Sequence, residues 1–142
     1  MQLILQKNER NFMQLRDDIP NFSWEEVVAG FKPDERFWEH MRLLQKMRDW
    51  WDAPFRVSSG FRSSAHNNAV GGANKSQHMI FATDIIPSTK SPLLEEPYLP
   101  IALEMLADKA DELGFNGIGL YDNFIHLDKR ETKSRWDNRR TN

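Results

Sequence analysis

Apolar side chains return at helical spacing in two stretches of this chain. Phe37, Met41, Leu44 and Met47 or Arg48 form one stripe, widened by Trp38 and Trp50, and predict a long helix from Asp34 to about Trp51. Ile101 to Leu113 forms the second, with Gly114 as the residue that stops it. Earlier, Ser23-Trp24-Glu25-Glu26 reads as a capping box and predicts a short helix ending near Gly30. Pro54 breaks the first long pattern, after which Phe55-Arg56-Val57-Ser58 alternates as a strand does. Further strands are predicted over Phe81 to Ile86, Gly117 to Tyr121 and Phe124 to Asp128, the last two joined by a turn at Asp122-Asn123. Helices precede short, loop-separated strands, which is an α+β layout with a small antiparallel sheet and helices packed on it.

Between these elements the composition shifts. Ser59 to Gln77 is rich in Ser, Asn, Gly and Ala and reads as a long, ordered surface loop, with a helical turn around Ala65 to Asn68. Loops of that length inside a compact domain often carry function. Ser88 to Pro100, with Pro92, Pro97 and Pro100 after Pro87, reads as a connection. Met1 to Phe12 suits an edge strand or a packing arm, and Arg130 to Asn142 reads as a basic, polar tail around Trp136. The division expected is an N-terminal arm over 1–21, one domain over 22–136 and a polar tail over 137–142.

Composition narrows the chemistry. A chain of 142 residues suits a single core, and with no cysteine it has neither disulfides nor thiolate metal sites. Lys plus Arg (19) nearly balances Asp plus Glu (21), so the basic surplus needed for nucleic-acid binding is missing. Mean hydropathy is −0.67, and no apolar run approaches the ~20 residues of a membrane helix. Leu3-Ile4-Leu5 is too short for the core of a signal peptide, so export through a leader is not expected.

Four histidines remain as candidate reactive groups: His40, His66, His78 and His126. His78 is followed by Asp84, and His126 by Asp128. Two imidazoles with one carboxylate form a catalytic zinc ligand set, leaving one position for water. Two ordinary ion pairs would have the same spacing. His40, among charges in the long helix, reads as solvated or cap-like. The Trp and Met stripe reads as core, and Asp17-Asp18 and Glu95-Glu96 as solvated surface. Arg135, Arg139 and Arg140 read as part of a soluble tail.

A wider series of motifs sharpens this. Ser59-Gly60-Phe61-Arg62-Ser63, His66-Asn67, Val70-Gly71-Gly72-Ala73, Ser76-Gln77-His78 and Ala82-Thr83-Asp84-Ile85 follow in order. Phe124-Ile125-His126-Leu127-Asp128-Lys129-Arg130 and Arg135-Trp136 complete the series. From about Phe22 to Trp136 it resembles the zinc D-Ala-D-Ala carboxypeptidase-like peptidases of peptidoglycan, in the branch common in phages and bacterial envelopes. The resemblance implies a hedgehog/DD-peptidase-like fold with zinc held by His78, Asp84 and His126. It also implies Arg62 on a substrate carboxylate and Ser76 beside the peptide to be cut, with His66 outside the ligand set.

Two departures stand out. The family's usual Ser-x-His-x-x-Gly-x-Ala-x-Asp motif is one residue longer than the interval here, and Phe81 stands near its glycine. Asn123 occupies the place where many relatives carry an acidic base, which makes Asp128 the local candidate for that role, with Asp122 behind it. The expected activity is zinc-dependent hydrolysis of peptidoglycan stem or cross-link peptides, as carboxypeptidase or endopeptidase. The alternative is a virion structural protein that keeps the fold with reduced or no activity, with other virion proteins as partners. The implied location is the virion, or the host cytoplasm before lysis.

Overall fold

The computed structural model describes residues 14–16, 18–23, 28–29, 35–62 and 82–140. Its centre is a five-stranded mixed sheet built from β4 (Phe55–Ser59), β6 (Ala82–Pro87), β7 (Gly117–Leu120), β8 (Ile125–Asp128) and β9 (Ser134–Asp137). The strands lie in the order β4-β6-β8-β7-β9. Pairing is antiparallel from β4 to β7, and β9 adds to the edge of β7 in parallel. Two short pairs flank this sheet: β1 (Gln14–Arg16) antiparallel with β2 (Ile19–Ser23), and β3 (Val28–Ala29) parallel with β5 (Phe61–Arg62).

Two helices cover one face. Helix α1 (Glu35–Trp51) buries Phe37, Met41, Leu44, Met47 and Trp51 completely, the stripe its spacing predicts. Each such side chain contributes roughly 1.5–3 kcal/mol on leaving water. The helix ends at Asp52, which takes a left-handed conformation (φ 57°) while its N–H bonds Arg48 O at 3.0 Å. Trp51 Nε1 donates to Ser88 O at 2.9 Å, and Ser91 Oγ donates to Trp51 O, so the proline-rich connection is tied to the end of α1.

Helix α2 (Leu99–Leu113) starts with Pro100 in its first turn, where the missing N–H removes nothing. It stops at Gly114 (φ 101°), whose N–H and that of Phe115 both reach Ala110 O at 3.1 Å. Ala102, Leu103, Leu106 and Ala110 are buried against the sheet, where α2 meets β6, β7 and β8. Ile19 and Phe22 of β2 join the same core beneath α1.

The α+β architecture agrees with the pattern of apolar positions, and three local expectations change. Ser23 closes a strand and Val28–Ala29 forms another, so the helix expected to run to Gly30 does not reach Val28, and residues 24–27 lie outside the described residues. Val28, β-branched, pairs with Phe61 instead. The expected loop after Ser59 begins with the Phe61–Arg62 strand, and the rest of it lies outside the described residues. The segment read as a polar tail contains β9. Among the described residues, no helix is long and apolar enough to cross a membrane.

Candidate metal centre

The alternation of β8 sorts its side chains onto two faces. Ile125 and Leu127 point into the core and are fully buried, while His126 and Asp128 share the opposite face. In β6, Ile85 joins the core, and Asp84 stands on the face of His126. The β6–β8 register pairs Asp84 with His126 directly. His126 Nδ1–H donates to Asp84 Oδ1 at 3.0 Å, and Nε2–H donates to Asp128 Oδ2 at 2.7 Å. One imidazole is thus held between two carboxylates. Asp84 stands on the face of its strand that meets His126. Across from it, β4 carries a register shift between Val57 and Ser59, the kind of bulge found beside functional sites.

The other neighbour of β8 is a strand of alternating glycines. Gly119 lies opposite His126 and Gly117 opposite Asp128. A Cβ at Gly117 would overlap the Asp128 carboxylate, and one at Gly119 would overlap the indole of Trp136. These glycines leave room for side chains that lie flat across the backbone. Ile118 and Leu120, between and after them, face the core.

Asp128 is fully buried and fully engaged. Besides His126, it accepts Arg130 Nη2 at 2.7 Å on Oδ2, and Arg130 Nε at 3.0 Å and the Arg130 backbone N–H at 2.9 Å on Oδ1. Burial pushes its pKa up, but the hydrogen bonds from His126 and Arg130 outweigh burial and hold it well below the usual carboxylate range. For His126, burial pushes the pKa down, and the bonds to Asp128 and Asp84 overcome it, leaving the value raised. An ionised, enclosed carboxylate of this kind suits orienting an imidazole and is poorly placed to take a proton from water. Asp128 is thus held between His126 and Arg130. Asn123 lies in the exposed β7–β8 turn. Asp122, beside it, is bound by Arg140 N at 2.9 Å and Arg140 Nε at 2.6 Å, and these bonds lower its pKa.

Of the residues singled out in the sequence, Asp84, His126 and Asp128 come together here. Arg62 follows Gly60 and Ser59, the register partner of Asp84, so its backbone leaves the sheet at the strand end nearest the site. His78, Ser76 and His66 lie outside the described residues. Among the described residues alone, no group of three or more His, Cys, Asp or Glu is placed to hold a metal ion. His40 is corrected: it is fully buried, with Nε2 3.0 Å from Thr83 Oγ1 and its ring edge-on to Phe115. Its place between Phe37 and Met41 turns it inward with the stripe. Gly117, Gly119, Arg130 and Trp136 were not singled out as site residues, although glycine at every second position of a strand was a readable sign of close approach.

No curated protein matches the chain. The family model described as Peptidase M15 matches residues 14–128, a span that begins at β1 and ends on Asp128. That match includes Asp84 and His126 and covers most of the 142 residues, so the chain belongs to the peptidase M15 family of metallopeptidases.

Proposed function

We propose that this chain is a zinc-dependent peptidase acting on peptidoglycan stem or cross-link peptides, with His78, Asp84 and His126 as its zinc ligands. The observation that carries the reading is the cross-strand pair of Asp84 and His126, 3.0 Å apart, with Asp128 behind the imidazole. Carboxylate and imidazole are both zinc donors. A carboxylate on the far nitrogen is what zinc-bound histidines regularly have, since it fixes the ring and its tautomer. Nδ1 is the nitrogen on the Asp84 side, so it is the one whose proton a metal shared with Asp84 would replace.

Bound zinc would polarise the scissile carbonyl and make its water acidic enough to react near neutral pH. The protein's own part is positional. Asp128 accepts Nε2–H and, kept ionised by Arg130, holds the ring in one orientation. Arg62 is assigned to the substrate's carboxylate, which a guanidinium binds in a planar fork, and Ser76 to the peptide beside it.

Elemental analysis of purified protein, with hydrolysis of muropeptides, tests the proposal. One zinc per chain in wild type and none in His126→Ala, with turnover lost, is the expected result. Unchanged zinc in His126→Ala overturns the ligand assignment. Zinc bound without any turnover of muropeptides would instead favour a scaffold that has kept the fold.

A further inference from the structure

We propose that Trp136, carried by the edge strand β9, is a positioning residue for His126. The family match covers residues 14–128, and Trp136 lies eight residues past its end, on β9. The inference rests on the reading of His126 as a metal ligand.

In the parallel β7–β9 pair, Trp136 stands opposite Gly119, as His126 does from the other side. With no side chain between them, indole and imidazole meet across the glycine, their ring centroids 5.2 Å apart and tilted by 45°. The indole is fixed from behind, because its Nε1–H donates to Tyr121 Oη at 2.9 Å. Tyr121 is itself stacked on Phe124 at 4.4 Å. The same indole lies beneath Arg130, whose guanidinium carbon is 5.0 Å from the ring centroid. Arg130 grips Asp128, and Asp128 grips His126. Trp136 therefore touches both ends of a three-residue chain of charge-assisted bonds. A cation held over the indole face is favourable in itself, and a flat apolar surface at that point keeps water from competing for those bonds.

Strand β9 has little of its own to hold it, since Ser134-Arg135-Trp136-Asp137 contains one apolar residue on an outer, parallel edge. Besides its pairing with β7, it is fastened by arginines. Arg135 pairs with Asp111 of α2 and Arg139 with Glu104 of the same helix, while Arg140 pairs with Asp122 of the β7–β8 turn. These anchors sit on either side of Trp136 along the chain and fix where the indole falls.

The test uses the full chain, with and without zinc. In the zinc-free protein, proton NMR of wild type should show a low-field, slowly exchanging resonance from His126 Nε2–H bonded to buried Asp128. Trp136→Ala should lose it to exchange, and Trp136→Phe, which restores a ring, should recover it. With zinc, Trp136→Ala should release metal to a chelator about tenfold faster or more, the scale of losses when a supporting partner of a ligand is removed. Its kcat should fall while KM stays near wild type. A folded Trp136→Ala with the resonance and zinc release unchanged overturns the proposal. Should Trp136→Ala not fold, Tyr121→Phe removes only the indole's acceptor: broadening of the same resonance supports the proposal and an unchanged resonance overturns it. A wild type that binds no zinc, yet loses the resonance in Trp136→Ala, overturns the zinc reading and upholds the placement of His126 by Trp136.

Discussion

At the scale of single residues, the site turns on what lies behind His126. If Asp128 orients the ring, Asp128→Asn should weaken zinc binding about 10–100-fold, because the ring loses a charged acceptor of nearly identical shape. A residue acting only as a base would lose turnover and keep zinc affinity, so a chelator-competition titration separates the roles. Gly119 is equally exposed to test. Gly119→Ala puts a methyl group into the indole of Trp136 and should destabilise the fold by about 1–3 kcal/mol, as overpacking does, which denaturant unfolding would measure. The His126-x-Asp128 spacing was legible in the sequence, since two residues apart on a strand share a face. The pairing of Asp84 with His126 was not, because register between distant strands is set by the whole sheet.

Elements followed from sequence wherever their signal was local. Both long helices carry an apolar stripe and a stop, and their boundaries fall within a few residues of the pattern. Gly114 offers a clean check of one stop. At φ 101° with open space around the missing side chain, Gly114→Ala meets only backbone strain, and a loss of about 1–2 kcal/mol in thermal or denaturant unfolding is expected. Strand β9 escaped notice for a physical reason. With one apolar residue, Trp136, it gives little signal of its own, and it is held by pairing with Gly117–Leu120 and by ion pairs with Asp111, Glu104 and Asp122, none of them near in sequence. His40 escaped because neighbouring charges masked a position that the helical period turns toward Thr83. The helix expected after Ser23 does not reach Val28, which pairs as a strand with Phe61, while residues 24–27 lie outside the described residues.

For the molecule as a whole, the proposed zinc site would couple metal to fold. Asp84 and His126 sit on β6 and β8, in the middle of the sheet, so zinc that binds only the folded chain stabilises it globally. At a hundredfold excess over Kd the gain is about 2.7 kcal/mol; calorimetry should show a higher Tm with zinc, reversed by a chelator. The sign with pH follows from His126. Its folded pKa is raised, so in the zinc-free chain its contribution is complete below the unfolded value of about 6.5 and is lost as pH climbs through the folded one. Zinc must displace that proton, so zinc-linked stabilisation should grow over the same interval. Calorimetry across that range, with and without metal, checks both trends. The glycine strand bears on how such a site could be remodelled. At Gly117 and Gly119 the main chain is covered directly by the Asp128 carboxylate and the Trp136 indole, so neither position can take a side chain without a collision. Adaptation of this scaffold to a different peptide must be written in the turns around these strands, while the two glycines and what lies on them stay the same.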